Sequence, residues 1–120
     1  MPFIVTCTDR PGAGDLRQRT RAVHLEYMIL HRAIILFGGP LLDEDGDVTG
    51  SVMVLDLADR AAVDGFLRRE PYTVAGLFSA VHIHAMRQMV PERFPGLLEG
   101  ELALERGRGA GAPTSHDSTS

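Results

Sequence analysis

Four side chains in the first third of the chain stand at helical spacing and carry groups suited to chemistry: Arg17, Arg21, His24 and Met28. Their offsets of four, three and four residues place them one above another along a single line of an α-helix. Two guanidiniums one turn apart, followed by an imidazole, make a cationic strip. The planar guanidinium fork suits a carboxylate, phenolate or enolate. Neighbouring positive charge works against adding a proton to the imidazole, so His24 reads as a neutral base near pH 7. The competing reading of the same stripe is a solvated helix face with a surface histidine, and spacing alone leaves both open.

Other residues invite the same two-sided treatment. Ser51 follows Gly50 at the start of a strand and either donates a hydrogen bond to an oxyanion or satisfies a local backbone group. No G-x-S-x-G elbow surrounds it, which argues against a hydrolytic nucleophile. Gly39-Pro40 ends a strand by its backbone geometry or lines a cleft wall. Tyr72 stacks on an aromatic ligand or packs under a turn. His82-Ile83-His84 places two imidazoles on one sheet face, but a zinc site needs further ligands, so structural histidines are expected. Asp43, Asp45 and Asp47 imitate the start of a calcium loop; the glycine is misplaced and Val54 stands where the bidentate glutamate belongs. The segment reads as a turn. Pro11-Gly12-Ala13-Gly14 lacks a longer phosphate-binding fingerprint and reads as a connector.

Stepping out to the whole chain, 120 residues are enough for one domain and a tail. Hydrophobic residues are 44% and charged residues 23%, ordinary for a globular protein, so no class is excluded on that ground alone. The net charge of −4 argues against a nucleic-acid binder held by phosphate contacts. All 12 basic residues are arginine, which removes lysine Schiff-base chemistry and the Walker-type phosphate loop. The single Cys7 can close no intrachain disulfide and has no C-x-x-C partner. No apolar run approaches the roughly 18 residues of a membrane span, and the N-terminus lacks a basic segment followed by an apolar one. A cytoplasmic protein without membrane contact is the expectation.

The elements that must position these residues alternate. Residues 2–8 read as a strand, stopped at Asp9-Arg10-Pro11-Gly12. Residues 15–31 read as a helix with an inward apolar stripe of Leu16, Val23, Tyr27 and Leu30. A second strand at 33–39 is closed by Gly38-Gly39-Pro40. Asp45-Gly46 signals a hairpin into a third strand at 48–57. Asp59 caps a second helix reaching Arg69, with Ala62, Val63, Phe66 and Leu67 inward. The last strand reads as 78–88. Strand, helix, strand, strand, helix, strand is the α+β ferredoxin-like plait, βαββαβ, with helices on one sheet face. The strands are apolar on both faces, and a second subunit packing on the helix-free face would cover the rest, so a homodimer is expected. Residues 1–90 read as the domain. Residues 91–120 read as a Pro/Gly/Ser-rich extension in which Leu97, Leu98, Leu102 and Leu104 suit a short helix, with an end expected to be disordered.

Arg17-x3-Arg21-x2-His24-Leu25-x-Tyr27, then Gly39-Pro40, Gly50-Ser51 and Glu70-Pro71-Tyr72-x3-Gly76-Leu77-Phe78, form an ordered set preceded by Asp9-x-Pro11. The set resembles the YCII-related (YciI-like) family from about Phe3 to Val90. The resemblance implies a plait of the dimeric α+β barrel type, with a small cleft holding a histidine and an acidic partner. One branch of the family acts as a dehydrochlorinase on a chlorinated hydroxyquinol, and related small proteins serve as accessory enzymes. By this resemblance His24 is the general acid or base, and the carboxylate that orients it is Asp9 or Glu70. The family usually has Asp-Pro-Tyr where this chain has Glu70-Pro71-Tyr72. One extra methylene moves a carboxylate by roughly an ångström, enough to alter a dyad. Either the site accepts glutamate or this carboxylate only shapes the turn.

These readings converge on a small enzyme of lyase or isomerase type, with His24 moving a proton on a small oxygenated, cyclic or aromatic substrate. Arg17 and Arg21 would hold the charge that develops, with Ser51, Gly39, Pro40 and Tyr72 around the substrate. Elimination, isomerisation and cyclisation all fit, and no redox-cofactor motif is visible, so no cofactor is expected. The rival is a dimeric ligand-binding or pathway accessory module using the same residues without chemistry. Nucleic-acid binding by the plait fits poorly, because the third strand lacks the aromatic-rich RNA-binding pattern.

Overall fold

In the computed structural model, which describes residues 1–109, the first strand, β1 (Pro2–Asp9), is followed by the helix α1 (Leu16–His31). A turn of 3₁₀-helix at Arg32–Ile34 leads to β2 (Ile35–Leu42) and β3 (Val48–Asp56). Then come α2 (Arg60–Arg69), the single turn α3 (Pro71–Val74) and β4 (Phe78–Ala85). The strands form one antiparallel sheet in the order β2-β3-β1-β4. This is the βαββαβ ferredoxin-like plait that the order of elements predicts. The described chain divides into two compact units, Met1–Met86 and the residues from Arg87 on.

The core of the first unit lies between the sheet and α2. Phe3, Val5 and Cys7 alternate along β1, facing Leu55, Met53 and Ser51 across the ladder. Val63, Phe66 and Leu67 close over them from α2, and each such side chain contributes about 1.5–3 kcal/mol when fully buried. The helix starts where Asp59 accepts a hydrogen bond from the Ala62 amide at 2.9 Å. Burial pushes the Cys7 thiol up to about 12, so it is a packing residue rather than a nucleophile.

Three expectations are corrected here. First, β2 does not stop at Gly38-Gly39-Pro40 but continues to Leu42, with Pro40 paired opposite Ser51. β2 is an edge strand, where a missing N–H costs no ladder bond on the open side. The glycine has a different purpose, since a Cβ on Gly38 would sit 2.7 Å from the Val52 carbonyl. Gly50 is likewise required, because a Cβ there would run into the Cys7 carbonyl. Second, β4 ends at Ala85 rather than 88. Its one neighbour, β1, begins at Pro2, whose carbonyl takes the Met86 amide as the last bond.

Third, of the stripe Leu16, Val23, Tyr27 and Leu30 only Tyr27 packs on the core. Val23 is 53% exposed and Leu30 76%. Met28 packs on the core beside Tyr27, whose hydroxyl donates to the Phe66 carbonyl at 2.8 Å. The helix is turned by roughly a quarter turn from the hydrophobic reading, at 3.6 residues per turn. The chemical stripe, Arg17, Arg21, His24 and Met28, is the one that faces inward.

The acidic hairpin is a turn, with Asp43 Oδ1 accepting from the amides of Asp45 and Asp47 and Gly46 at φ +85°. His82 and His84 stand opposite Thr6 and Ile4 on the helix-free face. Among the described residues no cluster of three or more His, Cys, Asp or Glu could hold a metal ion. In the second unit, α4 (Leu97–Gly109) is longer than the helix read from its leucines. The reading of the chain's end as disordered concerns residues outside those described. No described helix is long and apolar enough to cross a membrane.

Candidate active site

A cavity of about 560 Å³ opens between α1 and the β2–β3 half of the sheet. Its walls are mostly apolar, with Met28, Ile35 and Met53 among them, and its polar lining includes His24, Ser51 and Glu70. The position of His24 is set by Glu70. The imidazole Nδ1 lies 2.6 Å from Glu70 Oε1, and Glu70 is only 1% exposed. The other carboxylate oxygen accepts the Thr73 amide at 3.0 Å and faces the Thr73 hydroxyl at 3.4 Å. This follows from the local sequence. Pro71 fixes the first residue of α3, and the side chain just before it caps the amide three residues on.

Both oxygens of this buried carboxylate therefore have partners, as burial requires. A carboxylate that accepts from the amide on one side accepts Nδ1–H of His24 on the other, which leaves Nε2 as the ring nitrogen for proton exchange. Glu70 both shapes the turn and meets His24, so the two sequence readings of this residue are not exclusive.

Asp9, the other candidate partner, is corrected. It is bound side-on by Arg17, with Nε to Oδ2 at 2.9 Å and Nη2 to Oδ1 at 2.8 Å. That hydrogen bond raises the already high guanidinium pKa. Arg17 Nη2 also donates to Ser51 Oγ at 2.9 Å. Arg17 is thus not the free substrate clamp its type suggests; its charge is met inside the wall. Ser51, accepting from Arg17, keeps its own hydroxyl proton for another acceptor.

Tyr72 is among the residues that line the cavity. It is buried and its ring stacks on His24, with centroids 4.0 Å apart and planes 17° apart. The Arg17 guanidinium carbon lies 4.7 Å from the ring centroid. Tyr72 supports the imidazole by this stacking. Burial pushes its phenol up, against the opposing pull of Arg17 and Arg21.

Arg21 lines the cavity one turn before His24, as the stripe predicts, and Gly39 and Pro40 line it from within β2. Sequence reasoning missed Arg32, Thr73 and the apolar wall. Arg32 continues a run of three- and four-residue steps from Arg21 through Leu25 and Met28, a signal legible once the stripe is known to face inward. Thr73 is marked by its place three residues after a capping side chain.

A model of the YCII-related domain matches residues 1–87. The chain is similar to the 5-chloro-2-hydroxyhydroquinone dehydrochlorinase of Burkholderia phenoliruptrix AC1100, solved in complex with 2,5-dihydroxybenzoquinone. Identity is 32%, covering 77% of this chain and 99% of that one, with a TM-score of 0.70. SnoaB, a cofactor-independent oxygenase of Streptomyces nogalater, shares 17% identity over 76% of this chain and 96% of its own, at a TM-score of 0.48. No protein of curated function matches significantly. The family match takes in all four strands of the sheet and every residue named around the cavity, and the chain belongs to the YCII-related family.

Proposed function

We propose that the protein is a small enzyme of lyase or isomerase type, acting without a cofactor, in which His24 moves a proton on a hydroxylated aromatic substrate. One observation carries this reading: a cavity-lining imidazole 2.6 Å from a carboxylate that is itself almost wholly buried. Nε2 takes a proton from the substrate, and the electron pair left behind develops as negative charge on a ring oxygen. The Ser51 hydroxyl, which accepts from Arg17 and keeps its own proton, is the donor for that oxygen. In an isomerisation or cyclisation His24 returns the proton; in an elimination the leaving group departs with its bonding pair and the proton passes to solvent. The relative that removes chloride from a hydroxylated ring supports this class of substrate.

The test is turnover of 5-chloro-2-hydroxyhydroquinone by the wild type and by His24→Gln. A general base contributes about 10²–10⁴-fold, so the variant should fall by at least about 100-fold. A variant within about threefold of wild type would remove His24 from the chemistry. Binding of the ring without chemical change in the wild type would leave the ligand-binding module as the surviving reading.

We further infer that a second copy of the chain covers the helix-free face of the sheet. Ile4, Val52 and Phe37 lie on that face by register, Ile4 and Val52 half-buried and Phe37 62% exposed. Equilibrium sedimentation should give twice the chain mass of 13.1 kDa; a monomer across the micromolar range overturns the inference.

A further inference from the structure

Three arginines line the cavity, and they are not equivalent. Arg17 spends its charge on Asp9 and supports Ser51. Arg21 and Arg32 make no ion pair with any acid among the described residues. Outside the cavity lining, Arg19, Arg60 and Arg108 pair with Asp15, Asp64 and Glu105, while Arg68, Arg69 and Arg106 stand without an acid partner among the described residues, so what distinguishes Arg21 and Arg32 is their place in the cavity wall. The one acid lining the cavity, Glu70, is taken up by His24 and Thr73. An apolar-walled space thus faces an excess of guanidinium charge, and low-dielectric walls concentrate such a field.

Arg21 is the better placed of the two for the reaction. It stands three residues before His24, on the same side of α1, which sets their Cβ atoms about 5–6 Å apart. It is also near enough to lower the Tyr72 phenol pKa. Arg32 lies eight residues beyond His24, about 12 Å along the helix axis at 1.5 Å per residue. A group held by Arg21 therefore sits across one ring from a hydroxyl at His24, whereas Arg32 would need a longer molecule. A single planar guanidinium fits a carboxylate with two parallel hydrogen bonds.

We propose that the substrate is a hydroxylated aromatic acid whose carboxylate is held by Arg21, across the ring from the oxygen at which His24 acts. The inference rests on the acid/base reading of His24 and narrows its substrate class. Arg21 sets specificity here, while Arg17, of the same residue type and one turn away, serves the wall.

The experiment compares two probes that differ only by the carboxylate: gentisate (2,5-dihydroxybenzoate) and hydroquinone. Isothermal titration is run on the wild type, Arg21→Gln and Arg19→Gln. The wild type should bind gentisate at least about tenfold more tightly than hydroquinone, the worth of one charge-assisted pair. Arg21→Gln should abolish that preference. Arg19→Gln, which removes an equal charge from the same helix outside the cavity, should keep it. The proposal is overturned if the wild type binds both rings equally, if the preference survives in Arg21→Gln, or if Arg19→Gln loses it to the same extent. Equal binding of both rings leaves the His24 chemistry untouched. Binding of neither ring overturns this proposal and the aromatic-substrate reading beneath it.

Discussion

Two helices lie on the same face of one sheet, and they do opposite things. α2 buries Val63, Phe66 and Leu67 and seals its half of the sheet. α1 buries no residue completely, although it is longer by six residues, 16 against 10. It turns Arg17, Arg21 and His24 toward the sheet and leaves Val23 and Leu30 to solvent. The difference divides the labour of a small fold. Stability is concentrated where the apolar stripe and the packing direction agree. The cavity lies where they disagree, and the disagreement is tolerated because Asp9, Ser51 and Glu70 satisfy the polar groups that α1 brings in.

Substitutions on each helix can break or sharpen this contrast. The largest effect belongs to α2. Phe66→Ala should cost about 3–5 kcal/mol, read as a lower urea midpoint with an unchanged slope. A loss below about 1 kcal/mol would mean that α2 is not the sealing helix. Next comes the junction between the halves. Glu70→Asp shortens the side chain that reaches both His24 Nδ1 and the Thr73 amide. One of the two bonds must fail, at about 1 kcal/mol in thermal unfolding for the cap or about tenfold in turnover for a misplaced imidazole. Unchanged values of both would show that the glutamate is not required by this geometry. Smallest is the outer side of α1: Leu30→Ser should stay within about 0.5 kcal/mol of wild type. A cost of about 2 kcal/mol or more in the purified protein would restore Leu30 to an apolar interface.

How legible the molecule is in its sequence depends on the same contrast. The plait follows from alternating strands, the Asp45-Gly46 hairpin and the spacing of α2, because in all three the local pattern and the packing direction coincide. α1 misleads in an instructive way. Apolar periodicity points to Leu16, Val23, Tyr27 and Leu30, of which Tyr27 alone packs on the core, while Arg17, Arg21 and His24 line the cavity. The stripe read for its chemistry, Arg17 through Met28, marks the true inward side. The carboxylate partner of His24 was undecidable between Asp9 and Glu70, since spacing along a chain does not show which acid an arginine will claim. Arg17 claims Asp9, and that settles the pair.

The carboxylate of Glu70 has one further consequence. Its oxygens grip the His24 imidazole and the Thr73 amide of the short turn at Pro71–Val74. Unwinding of that connection between α2 and β4 would loosen the grip on the ring at the same time. The protein thus has a built-in interlock, in which a chain not yet closed at this junction cannot present a properly aimed imidazole.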